Sequence, residues 1–328
     1  MVVMKYRKLG NTGLFVSEIS YGSWLTFGEQ VGGETADRLI RTALDIGINF
    51  FDTADVYAKG RAEELLGTIL PGAARRQDYL IGTKVYFPMG NGVNDRGLSR
   101  KHIYDSIHDS LKRLRQEYVD FYICHGYDNE TPLVETIQAM QDLIHSGKIM
   151  HWGVCQWSAE QVAEASSKCK ANGWTPPALH QATYSLLDRS VEQRILPVCE
   201  KHGLGFSAFS PLGQGVLTGK YSSGRAPNES RATNGNLNMF VRDVLDDAEV
   251  MGTVGQLEEL ASECGMSAAG VSLAALLRRP DVSTLVAGAS RPEQLHDLVQ
   301  ASGLDLQDGV CDRLDELFPP QTQPRHWI

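Results

Sequence analysis

Ile19-Ser20-Tyr21-Gly22-Ser23-Trp24 is the stretch on which the architecture turns. It is a short β-type run followed by a turn that contains a single glycine. β-type and helix-type segments alternate along this chain, and such alternation implies a parallel sheet. Two architectures then compete, a closed barrel and a doubly wound open sheet. An open sheet ordinarily carries G-x-G-x-x-G directly after its first strand, because the backbone must approach a pyrophosphate there. No such motif follows Gly22 or occurs elsewhere in the chain. The reading therefore favours the barrel and keeps the open sheet as the alternative.

Upstream of this run, Tyr6 to Leu9, the turn Gly10-Asn11-Thr12-Gly13 and Leu14 to Ser17 read as a hairpin. Downstream, strands are expected at Asn49–Asp52, Tyr79–Lys84, Val119–His125, Met150–Val154, Ala178–Ala182, Leu204–Phe209 and Ser283–Ala287. With Ile19–Gly22 these make eight, each followed by a helical pattern. The helices are read at Thr35–Ile46, Ala62–Leu70, from Ser99, at Leu133–His145, from the cap Ser158 to about Cys169, and at Val191–His202. Further helices are read at Val250–Glu263, Ser267–Leu277 and Pro292–Ala301, with an extra one at Leu306–Leu317. After Ser99 the apolar residues Ile103, Ile107, Leu111 and Leu114 recur on one helical face. A Gly/Ser/Asn-rich stretch from Ser210 to about Asn238 is a long loop, of a length usually functional or disordered. The expectation is a (β/α)8 TIM barrel over residues 1–328, closed at its base by the hairpin and ending in an extra helix.

Composition narrows the function. The formal net charge of −9 argues against a nucleic-acid partner, since phosphate binding needs a broad positive field. The six cysteines form no C-x-x-C pair, and the N-terminus lacks a secretory apolar stretch, so a reducing cytoplasm is expected. No apolar run is long enough for membrane insertion. No H-x-H or H-E-x-x-H pattern offers a metal site.

In a βα barrel, chemistry collects at the C-terminal ends of the strands. Asp52 ends the second strand, Tyr57 lies in the loop after it, Lys84 ends the third and His125 the fourth. Each alone has an ordinary explanation as a turn cap, a solvated cation or a satisfied imidazole. Their combination on three consecutive strands points to one site.

Several stretches carry a family resemblance. They are Lys5-Tyr6-Arg7-Lys8-Leu9-Gly10, Gly47-Ile48-Asn49-Phe50-Phe51-Asp52-Thr53-Ala54-Asp55-Val56-Tyr57 and Arg61-Ala62-Glu63-Glu64. Others are Arg96-Gly97-Leu98-Ser99-Arg100-Lys101-His102, Ser207-Ala208-Phe209-Ser210-Pro211-Leu212 and Leu217-Thr218-Gly219-Lys220-Tyr221. Over nearly its whole length the chain resembles the aldo-keto reductases, in the branch with voltage-gated potassium channel β subunits and their plant and bacterial relatives. The resemblance implies NADPH-dependent reduction of an aldehyde or ketone, with Asp52, Tyr57, Lys84 and His125 as the catalytic set.

The chemistry suits those residue types. A forming alkoxide needs a proton, and a free tyrosine with pKa near 10 is a poor donor at neutral pH. A neighbouring Lys84 cation is expected to lower that pKa. About two units of lowering correspond to about 2.7 kcal/mol. Asp52 would fix Lys84, and His125 would hydrogen-bond the substrate carbonyl.

For the cofactor, the resemblance implies contacts from Ser23, Trp24, Asp52, Cys155, Gln156, Gln181 and Phe209, the last stacking on the nicotinamide. It implies pyrophosphate contacts from Ser210, Pro211, Leu212, Gly213 and Gln214, with Lys220 and Arg231 above them. Gly288, Ser290, Gln294 and Asp297 would surround the adenosine phosphate and adenine. The chain departs from the family at Cys155-Gln156, where Ser-Asn is common, at Gln294, where Arg is common, and at Leu298, where Asn often contacts adenine. The loop Gly126-Tyr127-Asp128 also differs, so the substrate pocket should differ with it. Its expected walls are Trp24, Phe87 and Tyr127, with Trp157 as a fourth candidate, and they suit an apolar carbonyl compound.

Two other functions compete. One is a regulatory subunit of the channel-associated kind that holds NADP(H) with slow or no turnover. Mammalian-type channel subunits carry Asn where this chain has His125. The other is a barrel hydrolase using Asp52 with Asp55 or Asp128 as a carboxylate pair. A homo-oligomer is expected by family analogy alone.

Overall fold

A computed structural model describes residues 4–28, 30–221, 232–233 and 241–323 of the chain. Eight parallel strands close into a barrel: β3 (Ile19–Gly22), β4 (Phe50–Asp52), β5 (Leu80–Val85), β6 (Val119–Cys124), β7 (Ile149–Cys155), β8 (Leu179–Thr183), β9 (Gly205–Phe209) and β10 (Val282–Ala287). They follow one another in chain order, and β10 pairs with both β9 and β3. The open-sheet alternative is thereby excluded.

Period-2 alternation decides what enters the barrel. In β4, Phe50 joins the interior cluster while Phe51 packs outward in the helix-facing core. In β6, Phe121 and Ile123 are interior while Tyr122 and Cys124 face out. Leu179 of β8 and Cys155 of β7 complete the inner set. This phase carries Asp52, Lys84 and His125 to the inner side at or near the C-terminal ends of their strands, and Gln181 to the inner side in the middle of β8.

Between the strands run α1 (Gly33–Asp45), α2 (Arg61–Ala73), α3 (Arg100–Leu114), α4 (Leu133–His145), α5 (Ala159–Asn172) and α6 (Val191–His202). The later part of the chain adds α7 (Arg242–Leu245), α8 (Ala248–Glu263), α9 (Ala268–Leu277), α10 (Pro292–Val299) and α11 (Asp308–Leu317). Caps set their ends. Ser99 accepts from the His102 amide to start α3, and Ser158 with Gln161 forms a reciprocal capping box for α5. α5 runs past Cys169 because its left-handed terminator is Gly173. α11 starts at Asp308 rather than Leu306, because Gln307 is still extended. The short helix α7 and the 3-10 turns at Arg76–Asp78, Tyr57–Gly60 and Gly213–Thr218 have no counterpart in the sequence reading.

The hairpin β1 (Tyr6–Lys8) and β2 (Phe15–Ser17) closes the base. Leu9 of its turn is fully buried against β9, where a Cβ on Gly205 would stand 2.7 Å from the Leu9 side chain. Only a glycine admits so close an approach. Arg7 ties the hairpin down by donating to Glu18 and to the carbonyls of Leu277, Arg279 and Val282. Among the described residues no single helix is long and apolar enough to cross a membrane.

Candidate active site

At the C-terminal rim the register aligns Gly22 with Asp52, Asp52 with Gly82, and Val85 with Cys124. Neighbouring strands therefore deliver Asp52, Lys84 and His125 side by side. Lys84 Nζ donates to both Asp52 carboxylate oxygens (2.7 and 2.6 Å), to the Thr53 carbonyl (2.8 Å) and to the Tyr57 hydroxyl oxygen (3.1 Å). The ammonium is fully buried, and these partners use its donors. Gln181 Nε2 also donates to Asp52 Oδ2, at 3.3 Å. Tyr57 Oη lies 3.5 Å from His125 Nε2.

Burial disfavours the Lys84 cation, but Asp52 and Tyr57 more than offset it and hold its pKa above the ordinary value. Burial also pushes the Tyr57 phenol up, and the pull of Lys84 in the other direction does not outweigh it. The expectation that Lys84 brings this phenol down towards neutrality is therefore corrected: desolvation dominates, and Tyr57 keeps its proton. Burial, reinforced by Lys84, holds His125 well below its usual pKa, so the imidazole is neutral. Its Nδ1 is buried with no hydrogen-bond partner among the described residues.

Backbone strain collects at the same end. Among the described residues, seven non-glycine residues have φ in the left-handed region. Six of them, Leu25, Ala58, Lys59, Gln156, Ser210 and Gln214, lie in loops that follow β3, β4, β7 and β9. Each costs roughly 1–2 kcal/mol. Such strain is characteristic of functional loops held by surrounding structure.

The model of the Aldo/keto reductase family matches residues 18–318. This chain belongs to the aldo/keto reductase family. It is 42% identical over 327 residues to a "Probable voltage-gated potassium channel subunit beta" of Oryza sativa subsp. japonica, with 98% of each chain covered. It is 39% identical over 327 residues to a protein of the same description from Arabidopsis thaliana, again covering 98% of each. The family's chemistry is nicotinamide-linked oxidoreduction of carbonyl compounds, and the chain is an oxidoreductase of that class.

The remaining residues singled out from the sequence fall as follows. Ser23 is buried just after β3, and its hydroxyl has no partner among the described residues. Trp24 is half-buried with its ring 6.4 Å from that of Tyr57. Cys155 ends β7, and burial pushes its thiol up to about 12. Gln156 is turned to Thr183, donating to its hydroxyl (3.1 Å) and accepting from its amide (3.3 Å). Phe209 ends β9. Ser210 Oγ accepts from Gln214 Nε2 at 2.7 Å, which folds the turn holding Pro211, Leu212 and Gly213. Lys220 is exposed, and Arg231 lies outside the described residues.

Gln294 Oε1 accepts from the Ser290 amide (2.9 Å), the Ser290 hydroxyl (3.2 Å) and the Arg291 amide (3.1 Å). It caps α10, near Gly288 and the exposed Asp297. A nicotinamide dinucleotide fits this set. The buried Ser23 hydroxyl has no partner among the described residues, and the Gln181 carboxamide, which donates to Asp52 and Ser207, stands on the inner side of β8.

On the substrate side, the Phe87 ring stands edge-on to the His125 imidazole at 5.0 Å, and Tyr127 edge-on to Trp157 at 4.8 Å. Trp157 is itself buried, so it backs Tyr127 rather than walling the pocket. The carboxylate-pair alternative has no geometric support. Asp55 is buried and accepts from Ser106 on α3 (2.7 Å), while Asp128 accepts from Leu98, Glu130 and Thr131. Sequence reasoning had no signal for the Thr53 carbonyl that takes the third bond of Lys84, or for the grip of Gln181 on Asp52.

Proposed function

We propose that the chain is a single-domain NADPH-dependent reductase of aldehydes or ketones, with Tyr57 as the general acid. The observation that carries this is the contact from Lys84 Nζ to the Tyr57 oxygen, with Asp52 behind the ammonium. When bound, NADPH supplies the hydride that adds to the carbonyl carbon. Ser23, Gln181 and Phe209 would hold its nicotinamide end, the turn at 210–214 its pyrophosphate, and Ser290 and Gln294 its adenosine end.

Tyr57 supplies the proton. An ammonium donates and cannot accept, so the bond from Lys84 leaves the phenolic hydrogen of Tyr57 to point elsewhere. A forming alkoxide is a far stronger base than a phenolate, so a neutral Tyr57 with a raised pKa remains able to protonate it. As the proton leaves, the buried Lys84 cation stabilises the phenolate; the same charge in water would count for much less. Neutral His125 can donate one hydrogen bond to the carbonyl oxygen and help to orient it. Phe87, Trp24 and Tyr127 exclude water and favour an apolar substituent. Six free cysteines, most of them buried, suit a reducing cytoplasm.

A spectrophotometric screen of aldehydes and ketones with NADPH and NADH, beside fluorescence titration of both cofactors, tests the reading. Oxidation of NADPH in step with carbonyl loss is expected. Tight cofactor binding with no turnover across the panel would instead favour a second reading, a nucleotide-holding regulatory subunit. The names of the rice and Arabidopsis relatives support that second reading. The imidazole at position 125, in reach of Tyr57, supports turnover.

A further inference from the structure

One side chain joins two loops of the rim. Asp128, in the loop between β6 and α4, reaches the loop between β5 and α3. Its Oδ2 accepts from the Leu98 amide and from the Thr131 hydroxyl, each at 2.7 Å, and its Oδ1 accepts from the Glu130 amide at 2.9 Å. Partial burial works against the charge, but these hydrogen bonds outweigh it and keep the carboxyl below the usual carboxylate range. The opposite loop is shaped to receive it. Gly97 has φ +82°, and a Cβ there would stand 2.6 Å from Asp128 Oδ2.

The loop thus held is a closed excursion. The Gly97 amide donates to the Tyr86 carbonyl at 2.7 Å, and Met89 and Gly92 amides donate to the carbonyl and carboxylate of Asp95. Inside it sits Phe87, 41% exposed, with its ring against His125. On the other side of the clasp the residue before Asp128 is Tyr127, braced on Trp157. The carboxylate therefore couples the segments that carry the two aromatic walls.

We propose that Asp128 is a positioning residue that sets the spacing of Phe87 and Tyr127, and with it the size of carbonyl compound admitted to Tyr57 and His125. The proposal rests on the reading of the rim as a carbonyl site. Charge-assisted bonds are strong and directional, so the clasp holds one aperture rather than a range. With the clasp released, compact substrates lose their fit while bulky ones keep or improve theirs.

The test is Asp128→Asn, which keeps the shape but turns an amide donor towards donors, with Gly97→Ala as an independent way to push the same contact apart. Kinetics would be run with a compact aliphatic aldehyde and a bulky aryl ketone, beside hydrogen exchange of the 86–98 amides and NADPH titration. Both variants should exchange those amides at least about tenfold faster, the equivalent of one such bond. KM for the compact substrate should rise about tenfold with kcat and NADPH affinity near the parent's, and the bulky ketone should change less than about twofold. Unchanged loop exchange, or equal losses on both substrates, would overturn the proposal. So would failure of both variants to fold, which would assign Asp128 to stability. If the parent reduces no carbonyl at all although the loop responds, the reading of the site fails, and the aperture fails with it.

Discussion

Lys84 Nζ stands 3.1 Å from the Tyr57 oxygen but 4.8 Å from the centre of its ring. The cation thus addresses the atom that would lose a proton more closely than the π face. Tyr57→Phe removes that oxygen and keeps the ring. The variant should fold and bind NADPH nearly as the parent does, and lose about 10²–10⁴-fold in kcat, the usual worth of general acid catalysis. Single-turnover kinetics with one good aldehyde, beside cofactor titration, would show it. Retention of more than about a tenth of the chemical rate would remove Tyr57 from the role of acid.

Asp52 is the anionic partner of a fully buried ammonium. Asp52→Asn should destabilise the fold by about 3–5 kcal/mol, because a lone buried charge remains. Adding Lys84→Met should restore part of that loss, since the charge is then gone as well. Urea unfolding of both variants is the measurement. A single variant as stable as the parent would mean that the pair is not buried in solution.

Asp55 lies behind the Tyr57 loop with its carboxyl shifted up to about 7, chiefly by burial and partly by Glu63, against the bond from Ser106. In the unfolded chain an aspartate ionises near 3.9. Between these values the folded state keeps a proton that the unfolded state has lost. Stability should therefore fall as pH rises from about 4 to about 7 and then level off with respect to this group. Asp55→Asn should remove that slope, so that its stability relative to the parent improves as the pH is raised across this window. Denaturant melts at pH 5 and pH 8 would reveal it, and an identical slope in both proteins would contradict the buried carboxyl.

Gln294 spends its carboxamide oxygen on the donors at the start of α10. An arginine there offers a cation for the 2′-phosphate of NADPH but accepts no hydrogen bond. Gln294→Arg should raise the ratio of NADPH to NADH affinity about tenfold, one charge-assisted contact, and lower stability by about 1 kcal/mol, as for a lost cap. Titration with both cofactors and thermal unfolding measure the two effects. An unchanged ratio would place the phosphate elsewhere.

Much of this molecule is legible from alternation. The succession of β-type and helix-type segments gave eight strands, and the strand-end positions of Asp52, Lys84 and His125 put them at one rim. The inner phase of β4 and β6 was not legible, because Phe50-Phe51 and Phe121-Tyr122-Ile123 are apolar on both faces. Helix starts at Ser99 and Ser158 were legible because their capping chemistry is local. The turn at Tyr57–Gly60 was not, because Ala58 and Lys59 adopt left-handed conformations that their side chains disfavour. Nor was the fate of Asp55 and Asp128. Both lie in the right segments for chemistry, and only contacts to Ser106 and Leu98, distant in sequence, turn them to other tasks. The level of the Tyr57 pKa was misjudged for a similar reason: Lys84 was visible in the sequence, and the extent of desolvation was not.

The uneven placement of the left-handed residues bears on how such a protein can be made to withstand heat. Leu25, Ala58, Lys59, Gln156, Ser210 and Gln214 are a reserve of stability held at one end of the barrel. Selection for thermal tolerance alone would draw on that reserve first, through glycine or asparagine at these loops, and would blur the geometry around Tyr57 as it did so. Selection that also demands turnover would be driven to the opposite end, where Leu9 and Arg7 seal the base and no reacting group is at stake.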